Sequence, residues 1–188
     1  MECSSILWRR LDAPGHDACR LEARGEERRL EGTAVWLHEG VPAHLAYRVE
    51  SDAAWRSRRG TVRGWIGARE VAIEIVRSPA GAWTLEGTTV DGLEDCADLD
   101  LGFTPATNLL VLRRLDLAVG SAARASVAWL DVDAGTLVKL PQDYARRSPW
   151  RYAYASPDHG YAAELEVAPN GFVRRYPGLW EALAEVPG

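Results

Sequence analysis

Apolar and polar residues alternate along most of this chain, and a period of two is the signature of strands with one face on a core. Ile6 to Leu11 predicts a first strand, closed by the Pro14-Gly15 turn. From Asp17 to Arg24, Cys19, Leu21 and Ala23 fall on one face and Ala18, Arg20, Glu22 and Arg24 on the other. A Gly25-Glu26 turn leads into Arg28 to Leu37, Gly40 to Pro42 break that run, and Ala43 to Val49 resumes it. Trp55 to Ile66 follows, and then Glu70 to Val76, the clearest strand, with Val71, Ile73 and Ile75 on one face. Trp83 to Glu86 completes a hairpin with it across Pro79 to Gly81. Further on, Ala125 to Asp131, Thr136 to Leu140, Trp150 to Ala155 and Tyr161 to Val167 read as strands, and Asn170-Gly171 turns Phe172 to Tyr176 back on its neighbour. Only Pro177 to Ala184, with Leu179, Trp180 and Leu183 at helical spacing, predicts a helix. Roughly a dozen short strands with regular turns predict an all-β fold, a many-stranded, antiparallel, incompletely closed β-barrel whose short C-terminal helix plugs an open end.

One segment departs from this rhythm. From Cys96 to Leu117 carboxylates, hydroxyls, an amide and two arginines crowd between apolar runs. As a strand, Ala97 to Phe103 puts Asp98 and Asp100 on one face, roughly 6.5–7 Å apart. Thr104-Pro105 must turn the chain, and Thr107 and Asn108 cap that turn or a short helical stretch. If Val111 to Leu117 is extended, Arg113 and Arg114 leave on opposite sides and at most one meets the two acids. Two readings stay open. The acids and one arginine form a network that fixes how strands close, or they line a pocket and hold a ligand's hydroxyls.

Composition narrows the class. The 188 residues suit a single domain spanning 1–188, without a linker or low-complexity tract. A net charge of -5 argues against a nucleic-acid partner. Lys139 is the only lysine, a bias that GC-rich coding accounts for. Cys3, Cys19 and Cys96 are unpaired in spacing and imply neither a disulfide framework nor zinc, which fits a reducing, cytoplasmic location. The start lacks a signal-peptide pattern, and no apolar run approaches the ~20 residues of a membrane span. His16, His38, His44 and His159 are scattered, Asp131-x-Asp133 lacks the remaining ligands of a calcium loop, and no phosphate loop or nucleophile elbow occurs. The residues therefore imply no metal, cofactor or catalytic group. Oligomeric state is not legible in them.

The run D-L-D-L-x-F-T-P-A-T-N-x-L-x-x-R-R-L, Asp98 to Leu115, resembles the central motif of a bacterial family of unknown function described as putative glycolipid-binding. The resemblance extends to Trp8, Leu30-x-Gly32, Tyr47 through Trp55 and Arg58, Trp83, Gln142-x-Tyr144, Tyr152-x-Tyr154 and Tyr176 to Leu179. It departs at Leu110-Val111, where a leucine followed by proline is expected, and the restored backbone donor lets the second strand start earlier. The resemblance implies a carrier-like barrel that binds an amphiphile, a glycolipid or fatty-acyl compound, without catalysis, and it supplies no catalytic residues. Asp98, Asp100, Asn108 and one of Arg113 or Arg114 are then candidates to anchor a polar head. Trp55, beside Arg56 and Arg58, and Tyr144, beside Arg146 and Arg147, are candidates for a cavity mouth. Two rivals belong to other classes: an isomerase or hydrolase using Asp98 or Asp100 as general acid or base, and a protein-interaction module presenting an exposed sheet face.

Overall fold

The structure is a computed structural model that describes residues 2–188. The chain forms β1 (Glu2–Arg10), β2 (Gly15–Arg24), β3 (Glu27–His38), β4 (Val41–Ser51), β5 (Ser57–Ile66), β6 (Arg69–Arg77), β7 (Trp83–Leu85) and β8 (Thr88–Val90) in succession. Then come β9 (Asp98–Leu101), the helix α1 (Asn108–Leu115), β10 (Ala122–Asp131), β11 (Thr136–Ser148), β12 (Arg151–Ser156), β13 (Tyr161–Val167), β14 (Val173–Tyr176) and β15 (Trp180–Val186). All fifteen strands belong to one sheet in the order β8-β7-β6-β5-β4-β3-β2-β1-β15-β14-β13-β12-β11-β10-β9. Every neighbouring pair is antiparallel except β9–β10.

This order explains the curl. The chain meanders from β1 outward to one edge, β8, then crosses to the opposite edge, β9, and returns to meet β1 through β15. Residues 91–97 make that crossing, and so short a link spans at most roughly 25–30 Å. The two edges must therefore come near each other. They do not ladder, and the sheet is not closed into a barrel. The start of β9 is instead fastened to the start of β5. The Ser57 N–H donates to Ala97 O at 3.0 Å and the Leu99 N–H to Ser57 Oγ at 2.9 Å. Leu99 lies on Gly60, where there is no room for a Cβ.

Alternation holds for most strands. β2 buries Cys19 and Leu21, and β4 buries Ala43, Leu45, Tyr47 and Val49, as the period of two predicts. Trp8, Leu30, Leu45, Ile75, Trp83 and Phe172 belong to a single apolar core enclosed by the curl.

The expected C-terminal helix is a correction: Trp180 to Val186 is strand β15, paired with both β1 and β14. Gly178, at φ 75°, ends the turn before it, and Leu183 faces solvent while Trp180 is buried. Filling the gap between two waiting strands satisfies two rows of backbone groups, which outweighs a weak helical spacing. The helix lies in the central segment instead. Asn108–Leu115 is α1, so the extended reading of Val111 to Leu117 fails, and the valine at position 111 sits in a helix and starts no strand. Leu109, Leu110, Val111 and Leu112 are all buried. Four successive buried residues cover every side of a helix, so α1 runs inside the curl and fills it.

Candidate functional site

The polar residues of the central segment hold α1 in place. Thr107 precedes the helix without capping it; its hydroxyl accepts the Leu101 N–H at 3.2 Å and donates to Asp100 Oδ1 at 2.9 Å. The other Asp100 oxygen accepts from Gln142 Nε2 at 2.7 Å, Gln142 Oε1 accepts from the Tyr144 hydroxyl at 2.9 Å, and that hydroxyl accepts from Asn108 Nδ2 at 3.1 Å. This relay joins β9, β11 and α1. Asp98, fully buried, accepts from Arg114 Nε at 3.0 and 2.9 Å and from its Nη2 at 2.6 Å. Burial raises the Asp98 carboxyl above its ordinary range, and the guanidinium opposes that rise. Burial likewise raises Asp100, against the hydrogen bonds from Thr107 and Gln142.

The two acids do share a face of β9, and one arginine of the pair, Arg114, reaches Asp98. The reason is helical. Arg113 and Arg114 are successive on α1 and so point about 100° apart. Arg113 turns away, donating from Nη2 to Asn170 O at 2.7 Å and stacking over Trp55 at 5.6 Å. Arg28 lies over the same indole at 5.5 Å. Trp55 and Arg113 thus meet at one end of the curl, the end that carries the β2–β3, β4–β5 and β13–β14 turns. Arg58 is at that end too, exposed, in the wall of a cleft of about 350 Å³. Tyr144 is not at a rim: it is fully buried, and burial pushes its hydroxyl well above the usual range.

The eight candidate residues therefore divide in two. Asp98, Asp100, Asn108, Arg114 and Tyr144 form one interior network, while Trp55, Arg58 and Arg113 gather at the first end.

A second buried cluster escaped the pattern. Asp17 is fully buried and accepts from the Tyr47 hydroxyl at 3.1 and 3.0 Å and from the Thr104 hydroxyl. Among the described residues no cation pairs with it, and burial pushes its carboxyl up to about 6, against those hydroxyls. The Tyr47 ring crosses Gly32, where a Cβ would collide with it. The only sequence signal was an aspartate at an inward position of an alternating strand. Four tyrosines, Tyr144, Tyr154, Tyr161 and Tyr176, form another cluster, with centroids 5.0 to 6.1 Å apart. Among the described residues no group of His, Cys, Asp or Glu could hold a metal ion. None of their helices is long and apolar enough to cross a membrane.

The profile of the family described as "Putative glycolipid-binding" matches residues 5–182. The chain belongs to this family. It is also similar to the crystal structure of a DUF1089 family protein from Pseudomonas aeruginosa, with TM-score 0.75 and 26% sequence identity over 87% of this chain and 90% of that one. No protein of curated function matches. The match takes in both groups of candidate residues, the interior network and the first end, so both lie inside the part of the chain that defines the family.

Proposed function

We propose that this protein binds, without catalysing a reaction, an amphiphile of the glycolipid or fatty-acyl class. The observation that carries the reading is the family match over residues 5–182. The geometry supports it: one curled sheet encloses a single apolar core, its edge strands are not laddered together, and one short helix fills the interior. The chain of the ligand takes the volume now held by Leu109 to Leu112. Uptake then displaces α1, and the relay Asn108–Tyr144–Gln142–Asp100–Thr107 with the Asp98–Arg114 pair is what parts. The polar head stays at the first end, near Trp55 and Arg58. Asp98 gives the enzyme reading no support, because it is sealed and paired with Arg114. Asp17 is equally sealed from any substrate.

The test is direct. Protein purified from cells is denatured and extracted with organic solvent, and the extract is read by mass spectrometry. Titration with fluorescent fatty-acyl probes accompanies it. A stoichiometric lipid, or saturable probe uptake, is the expected result; an empty extract together with no uptake would sink the proposal.

A further inference from the structure

A carboxyl group with no cation beside it, among the described residues, sits where two walls of the curl meet the segment that leads into the inner helix. The Tyr47 hydroxyl of β4 donates to Asp17 of β2 at 3.1 and 3.0 Å, and the Thr104 hydroxyl donates to the same carboxylate. The two hydroxyl oxygens lie 3.2 Å apart. Thr104 belongs to the link 102–107 between β9 and α1. Because β9 starts beside Ser57 and runs away from the first end, this link lies at the opposite one. Phe103, next to Thr104, stacks on Trp36 at 6.0 Å and meets Tyr47 edge-on at 5.8 Å. Residues 103–112 are buried without a break, yet they belong to no strand and no side chain caps α1. Packing and a few polar side chains hold this segment in place, and Asp17 is one of them.

The elements around Asp17 leave it the one group of the cluster that changes charge near neutral pH. β1 sets Trp8 opposite it, β3 sets Ala34, and β2 itself carries Cys19 on the same face. β4 contributes Tyr47, and the link contributes Phe103 and Thr104. Burial pushes the Tyr47 hydroxyl and the Cys19 thiol well above their usual ranges, so both stay neutral. As a neutral acid, Asp17 donates to one hydroxyl oxygen and the cluster is satisfied. As a carboxylate it accepts from both hydroxyls, but these do not repay the water lost around a buried charge. Lifting the link takes Thr104 away and lets water reach the carboxylate. That gain exists only in the ionised state, so opening and deprotonation favour each other.

We infer that Asp17, Tyr47 and Thr104 are a proton-operated latch on the link 102–107 and α1: a neutral Asp17 keeps them shut, and an ionised Asp17 lets them lift so that the amphiphile enters. The inference rests on the reading in which uptake displaces α1 and can fail separately from it. Amide hydrogen exchange, read by mass spectrometry, is measured on the unaltered protein without ligand at pH 5 and pH 7.5. With intrinsic rates divided out, a carboxyl raised from 3.8 to about 6 implies exchange of 103–112 about tenfold faster at pH 7.5. This opening is local, so these amides should exchange ahead of those of β4 and with a weaker dependence on urea. Asp17→Asn should lose the tenfold rise. A rise contributed by Asp98 or Asp100, also raised by burial and bonded to Arg114 and Thr107, survives that substitution. Thr104→Val leaves the carboxylate to Tyr47 alone and should speed exchange more at pH 7.5 than at pH 5. Equal protection at the two pH values, exchange of 103–112 only together with β4, or a full rise in Asp17→Asn would each overturn the latch. Uptake of a fluorescent fatty-acyl probe is then followed at both pH values. Faster uptake at pH 7.5, with the difference lost in Asp17→Asn, is the expected result; equal uptake at both overturns the inference and leaves amphiphile binding intact. No uptake at either pH beside a pH-dependent opening overturns amphiphile binding and leaves the latch.

Discussion

Asp17 shows how one residue can set a measurable property of the whole fold. Burial, with no cation beside it among the described residues, pushes its carboxyl up to about 6 from an ordinary value of 3.8. The folded state therefore holds the proton more tightly than the unfolded state, and between about pH 4 and 6 stability falls as pH rises. A shift of about two units corresponds to roughly 3 kcal/mol at neutral pH. Asp17→Asn should raise stability at pH 7 by about 1–3 kcal/mol and remove this part of the slope, allowing for an imperfect amide fit. Urea denaturation of both proteins at pH 4, 5, 6 and 7 measures it; parallel curves would show that Asp17 is not the titrating group. The sequence could place Asp17 on an inward face, but nothing local indicated that Tyr47 and Thr104 would supply its donors. Those partners are 30 and 87 residues away.

At the scale of the element, α1 is the part the sequence left open. Its motif was visible as chemistry, and the shared face of Asp98 and Asp100 was read from alternation alone. The arginines were assigned to opposite sides for the wrong reason, an extended strand where a helix stands. The same helix explains why Arg114 alone reaches Asp98. Arg114→Leu leaves a fully buried carboxylate without its partner, and the expected loss is about 3–5 kcal/mol. Asp98→Leu/Arg114→Leu should recover a large part of it, since no charge is then stranded. Thermal denaturation of the two variants decides the matter: a double variant no more stable than the single one would mean that the pair acts through something other than charge compensation. The helix expected at Pro177 to Ala184 failed for a complementary reason, because β1 and β14 each offered β15 an unpaired edge.

The whole molecule is organised by its order of strands. β1 and β15 are neighbours, with Ser5 opposite Val186, so the two ends of the described chain lie side by side. Residues 91–97 link the two free edges. A circular permutant that joins residue 188 to residue 2 by a short Gly-Ser linker and opens the chain at 91–97 should fold and unfold cooperatively, because every ladder is kept. Near-ultraviolet circular dichroism of its tryptophans, with a urea titration, is the check. A molten permutant would show that the 91–97 link, more than the Ser57–Ala97 and Leu99–Ser57 bonds, holds the curl.

Taken alone, the sequence determined the all-β class, most strand positions and their inward faces, because burial and a period of two are local properties of the chain. It also set Asp98, Asp100, Thr107, Asn108 and Arg114 in one continuous run, whereas Gln142 and Tyr144 join them only in the fold. Strand order, the unladdered edges, the helix inside the curl and the Asp17 cluster were decided only by tertiary structure. Each depends on which distant backbone edge or side chain is left to be satisfied, and no local pattern of residues encodes that.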